Sequence, residues 1–127
     1  MQRKRILVVD DERHMRRLLQ FTLEKTGSEV VLVGSGDEAL QSLREGRFDL
    51  ILLDLVMPGM DGFATAREIR RDPACNDVPI IMLTSRGQPE MREVATELGI
   101  ASFFTKPFSP TVLIAEAKRR LASVRAG

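Results

Sequence analysis

Three carboxylates stand where short apolar runs stop: Asp10 and Asp11 follow ILVV, and Asp54 follows LILL. Thr84 closes another such run, IIML, and Lys106 follows the segment SFFT. Carboxylates gathered at one place repel, raise each other's pKa and cost stability unless a cation sits among them. These segments offer oxygen donors and no His or Cys, so the expected ion is Mg²⁺, which keeps several waters and takes one or two carboxylates plus phosphate oxygens. A carboxylate can also be the nucleophile in phosphoryl transfer, giving an aspartyl-phosphate. Asp54 is the candidate acceptor. The loop after it, LVMPGMDG, is held by Pro58, Gly59 and Gly62, which suits a fixed acceptor and a backbone carbonyl turned toward a metal. Lys106 would set a positive charge against the transferred group and Thr84 a hydroxyl donor, clamping the transition state electrostatically.

Those residues meet only if the chain places them at one edge. Apolar runs rich in Val, Ile and Leu alternate with longer stretches of helical spacing, which is the pattern of βαβ units around a parallel sheet. Strands are expected over Arg5 to Asp10, Val30 to Gly34, Asp49 to Asp54, Pro79 to Thr84 and Ala101 to Thr105. Most are apolar almost throughout, as strands covered by helices on both faces should be. Met15, Leu18, Leu19 and Thr22 mark one helical face, and Met91, Val94, Ala95 and Leu98 another. Gly27, Gly46 and Gly99 each follow a helical stretch and are expected as left-handed helix ends. Ser109 with Pro110 opens a last helix running to about Val124. The fold class is α/β, a (βα)5 doubly wound three-layer sandwich with a five-stranded parallel sheet. In such sheets ligands bind at the carboxyl ends of the strands, near the point where strand order reverses, and the acidic residues, Thr84 and Lys106 fall there.

Composition bounds the rest. A chain of 127 residues, 43% hydrophobic, is expected as one domain, 1–127, with a core over about 4–122 and a short C-terminal tail. Nineteen basic against eighteen acidic residues give a net charge of +1, which supplies no overall field for nucleic acid or an anionic membrane, so no direct nucleic-acid or membrane binding is expected. The lone Cys75 excludes an internal disulfide and, with no apolar run of ~20 residues, fits a reducing, cytoplasmic setting. The basic and then apolar start meets Asp10, Asp11 and Glu12 too soon for a signal peptide. Trp and Tyr are absent, which argues against stacking platforms for single-stranded nucleic acid.

The segments ILVVDDE, LLDLVMPGMDG, PIIMLTSR and FFTKPF resemble the four signature blocks of response-regulator receiver domains, in the right order and across nearly the whole chain. The resemblance implies a flavodoxin-like fold and a phosphoacceptor in a two-component phosphorelay rather than an enzyme. A histidine kinase or phosphotransfer protein would donate the phosphoryl group to Asp54. Asp11 would bind Mg²⁺ directly with Asp54, Asp10 would help through water, and the main-chain carbonyl of Val56 would complete the protein ligands. The resemblance also implies a cis Lys106–Pro107 bond and a switch acting through Thr84 and the aromatic Phe103, where many relatives carry Tyr. Its output would be a downstream partner, an attached output domain or a phosphorylation-dependent dimer, displayed on the fourth helix, fifth strand and fifth helix. Val56 and Arg86, two positions after Asp54 and Thr84, would flank the path of attacking water and set the lifetime of the phosphorylated state.

Other readings are weaker. Asp10 and Asp11 could simply cap a helix, but not in company with Asp54, Thr84 and Lys106. A haloacid-dehalogenase-like phosphatase would need an acid two residues after its nucleophile, where Val56 stands. A flavodoxin-like cofactor binder would need a phosphate loop of Ser, Thr and Gly in place of Asp-Asp-Glu. His14 reads as a solvated residue, not a phosphodonor. Phe108 reads as core. Arg16 and Arg17, and later Lys118, Arg119 and Arg120, read as exposed helix faces. No output domain follows within these residues, which fits a stand-alone regulator or a module of a longer chain.

Overall fold

A computed structural model describes residues 3–85 and 89–123. Five strands alternate with five helices: β1 Arg5–Val9, α1 Arg13–Glu24, β2 Glu29–Val33, α2 Gly36–Glu45, β3 Leu50–Asp54, α3 Gly62–Arg71, β4 Ile80–Thr84, α4 Pro89–Glu97, β5 Ser102–Thr105 and α5 Pro110–Ser123. All strand pairs are parallel, in the order β2-β1-β3-β4-β5. The order reverses between β1 and β3, so the crevice beyond their ends lies between Asp10 and Asp54.

Alternation along the strands feeds two apolar layers. Leu7, Val9, Ile51, Leu53, Ile80 and Met82 meet Ala39 of α2 and Ala66 and Ile69 of α3 on one face, with Met91 of α4 and Leu98 just after it packed alongside. Ile6, Val8, Leu50, Leu52, Ile81 and Leu83 meet Leu19 and Leu23 of α1 and Leu113, Ala117 and Leu121 of α5 on the other. Burying each of the Val, Leu, Ile and Met side chains contributes about 1.5–3 kcal/mol. Among the described residues, no helix is long and apolar enough to cross a membrane.

Helix starts follow their local chemistry. Ser35 Oγ accepts from the Glu38 N–H while Glu38 Oε2 accepts from the Gly34 N–H, a reciprocal cap on α2. Asp61 caps α3 at 2.8 Å, and Ser109 caps α5 through the Val112 N–H at 3.3 Å. Gly62 lets α3 start hard against β3: a Cβ there would lie 2.5 Å from the Asp54 carbonyl oxygen. That close approach fixes the loop leaving Asp54.

Several sequence expectations need correction. Gly27 and Gly99 are left-handed, at φ 82° and 66°, but Gly46 is extended, at φ −172°. Glycine at 46 leaves room for the Arg5 guanidinium, since a Cβ would stand 2.8 Å from Arg5 Nη1, the movable end of that side chain. Leu18 lies 45% exposed, so the buried face of α1 centres on Leu19, Thr22 and Leu23. Arg16 is half-buried rather than solvated, and Arg120 turns back to donate to Glu116 at 2.8 Å and to the Ala101 carbonyl at 2.9 Å. Val124, the expected end of α5, lies outside the described residues.

Candidate functional site

Each strand delivers one group to the same edge because parallel strands all end there. The Asp10 N–H donates to the Val33 carbonyl at 3.2 Å, extending β1 pairing by one residue and burying Asp10 to 1% exposure. Its Oδ1 accepts from the Glu12 N–H at 2.8 Å, and its Oδ2 lies 3.2 Å from Lys106 Nζ. Its main-chain carbonyl accepts from Arg16 Nη1 at 2.8 Å. Asp54, also buried at the end of β3, lies 3.5 Å from Lys106 Nζ, and the nearby Val56 N–H favours its charged form. Asp11 is exposed, and one carboxylate oxygen from each of Asp10, Asp11 and Asp54 lies within 4.8 Å of the others.

β4 and β5 supply the opposite wall. Thr84 is fully buried and pairs in register with Thr105. The Lys106 N–H donates to the Thr84 carbonyl at 2.7 Å, which carries Lys106 past the sheet edge and over the carboxylates. The Lys106–Pro107 bond is cis.

The electrostatics record the crowding. Burial, and then the neighbouring Asp10, push the Asp54 carboxyl up to about 6, against the pull of Lys106 and the Val56 N–H. Burial raises Asp10 as well, opposed by the Glu12 N–H and Lys106. For Lys106 burial opposes the charge, but Asp10 and Asp54 together outweigh it and its pKa is raised. Two buried carboxylates share one ammonium with a third carboxylate close by, so negative charge is in excess. An all-oxygen donor set of that charge fits a hard divalent cation, and Asp10, Asp11 and Asp54 are the residues that could hold it.

The other candidates lie further out. The Val56 side chain is 50% exposed near the site. Phe103 is half-buried against the α2–α3–α4 layer, with Arg92 Cζ of α4 standing 5.1 Å from its ring centroid. Phe104 and Phe108 pack against the α1–α5 layer. His14 is exposed on α1, and Cys75 is buried at some remove with its thiol pushed up by burial. Arg86 lies outside the described residues. Sequence reasoning missed Arg16 and the Glu12 N–H as partners of Asp10. Both contacts involve the main chain, and only the short spacing from Asp10 hinted at them.

Comparison with known proteins places this geometry. The chain matches the response regulator receiver domain family over residues 6–118. The transcriptional regulatory protein ResD of Bacillus subtilis is 44% identical over 117 residues, covering 92% of this chain and 48% of the relative. The phosphate regulon transcriptional regulatory protein PhoB of Escherichia coli is 41% identical over 115 residues, covering 91% and 50%. The chain therefore spans about half the length of the curated relatives it matches. Among solved structures, the chemotaxis protein CheY4 of Vibrio cholerae aligns with a TM-score of 0.87 at 33% identity, covering 92% of this chain and 98% of that one. The signal receiver domain of a histidine kinase from Syntrophus aciditrophicus aligns at 0.88 and 35%, covering 98% and 94%. Likeness in sequence and in backbone trace agree over nearly the whole chain, which belongs to the response regulator receiver domains of two-component signalling.

Proposed function

We propose that this receiver domain is a phosphorylation-dependent signalling switch rather than an enzyme of turnover, and that Asp54 is its acceptor. The observation that carries the reading is the placement of Asp54, buried at the end of β3 with Lys106 at 3.5 Å and Asp10 and Asp11 beside it. One Asp54 carboxylate oxygen attacks phosphorus as the bond to the donor nitrogen of a phosphohistidine breaks, and that nitrogen keeps the electron pair. The Val56 N–H orients the acceptor carboxylate, while Lys106 and the Thr84 hydroxyl receive the charge of the transferred oxygens. Asp11, Asp54 and the Val56 carbonyl, helped by Asp10 through water, would hold Mg²⁺, which would supply charge neutralisation when bound.

The donor is a histidine kinase or a phosphotransfer protein. Phosphorylation draws Thr84 and Phe103 toward the site and changes the surface of α4, β5 and α5, where Arg92 lies over Phe103. Contacts made only in the phosphorylated state bias such an equilibrium by ~1–3 kcal/mol. The names of ResD and PhoB, with their greater length, favour an attached transcriptional output domain as the readout, and a phosphorylation-dependent dimer is a second form it could take. The near-neutral charge of the chain favours a domain that does not itself contact DNA.

The test is incubation with a small acyl phosphate followed by intact mass. One phosphoryl group should be gained with Mg²⁺, none in chelator and none in Asp54→Asn. Normal labelling of Asp54→Asn would overturn the assignment.

A further inference from the structure

Asp10 and Asp11 share one planar peptide, so whatever fixes the Asp10 carbonyl also fixes where the Asp11 side chain begins. In this structure that carbonyl is held by Arg16 Nη1 at 2.8 Å, from the first turns of α1. The other polar groups of Asp10 are held by Val33, Glu12 and Lys106. Arg16 thus completes the fixing of Asp10 and is the contact that acts on the plane leading to Asp11.

The slot for the guanidinium is made by Gly34, at the end of β2. A Cβ on Gly34 would stand 3.2 Å from Arg16 Nη1 and 3.2 Å from Glu38 Oε2. Gly34 is not among the glycines with positive φ, so its backbone does not demand glycine, and a Cβ there would press on the ends of the Arg16 and Glu38 side chains. Arg16 is also half-buried although it lies on a helix whose neighbours Arg13, His14 and Arg17 are exposed.

We propose that Arg16, seated in the gap left by Gly34, is a positioning residue for the carboxylate pair and sets Mg²⁺ affinity through the direction of the Asp10–Asp11 peptide. The inference rests on the reading of Asp11 as a metal ligand. Two effects of Arg16 oppose each other. Its charge repels a cation nearby, while its hydrogen bond preorganises a ligand. Groups that orient metal ligands typically change affinity 10–100-fold when removed, and a half-buried charge is partly screened by solvent and salt, so the hydrogen bond should dominate.

The experiment is calorimetric titration of the whole chain with MgCl2 at physiological salt, with metal-free unfolding midpoints recorded alongside. Arg16→Met should weaken Mg²⁺ binding by roughly tenfold, the lower end of that range. Gly34→Ala keeps the charge but displaces the guanidinium, and it should weaken binding in the same direction. The double variant should bind no worse than Arg16→Met, since both changes break one contact. Unchanged or tighter binding in Arg16→Met, or wild-type binding in Gly34→Ala, would overturn the proposal, as would losses that simply follow the metal-free midpoints. Asp11→Asn separates the two levels: if it binds Mg²⁺ as the wild type does, the metal reading itself falls and this inference with it.

Discussion

The ammonium group of Lys106 lies closer to Asp10, 96 residues away in the chain and at 3.2 Å, than to Asp54, the proposed acceptor, at 3.5 Å. One cation is shared by two buried carboxylates, and the smaller part of its hold falls on the residue proposed to react. Asp54 is accordingly the less well compensated of the two in the metal-free state.

Removing that carboxylate's charge should therefore stabilise the metal-free protein. The folded-state pKa of Asp54, about 6, lies above its ordinary 3.8. Its protonated form thus favours folding below the ordinary value, and that contribution is lost as pH rises through the folded value. Asp54→Asn should match wild type near pH 4 and gain on it through pH 6, reaching an advantage of about 1–3 kcal/mol at pH 7.5 in chelator. Mg²⁺ should narrow the gap by stabilising wild type. Urea melts followed by far-UV circular dichroism suit a chain without Trp or Tyr. An advantage that is flat with pH, or reversed, would sink this account of the site.

The site was legible in the sequence where chemistry coincides with strand ends. Asp10, Asp54, Thr84 and Lys106 each close or follow an apolar run, and parallel topology brings such positions to one edge whatever the details of packing. What was not legible depends on distances of an ångström or on the main chain. The preference of Lys106 for Asp10 is a matter of side-chain reach. Leu18 fits a helical period but lies on the wrong side of the α1 stripe, because a stripe read from a few apolar residues leaves its centre undefined. Gly46 looked like a left-handed helix end and is a gap for Arg5. Arg16, Arg70 and Arg120 all reach backbone carbonyls, and since every residue has one, such partners leave no mark in the sequence.

Arg70 is the strongest instance. From α3 it donates to the carbonyls of Leu98 at 2.8 Å and Gly99 at 3.0 Å after α4, and to those of Asn76 at 3.1 Å and Val78 at 2.7 Å before β4. A planar fork can serve two turns at once, whereas an ammonium cannot. Arg70→Met should cost about 2–4 kcal/mol in urea melts, and Arg70→Lys should recover less than half of that. The α4–β5 turn should also exchange its amides faster in Arg70→Met than in wild type. A loss below ~1 kcal/mol, smaller than the usual value of a hydrogen bond from a charged group, would show the clamp to be dispensable.

The lifetime of the phosphorylated state offers a test centred on Val56. Hydrolysis needs a water in line with the bond between Asp54 and phosphorus, and we propose that the side chain of Val56, a residue 50% exposed two positions on, flanks the approach. An isopropyl group excludes water but offers it no hydrogen bond, whereas an amide both donates and accepts. The substitution is clean in one respect: the Val56 N–H that favours the charged Asp54 carboxylate belongs to the backbone and survives in Val56→Asn. Phosphorylation of this variant should therefore reach the same extent, while decay of the phosphorylated mass should accelerate several-fold, since positioning a water contributes at most the ~10²-fold low end of general-base assistance. Arg86, the other residue expected at the approach, gives an independent arm through Arg86→Glu. Unchanged or slower decay in both variants would mean that neither side chain governs water access, and that the lifetime is set by the groups holding the phosphoryl oxygens.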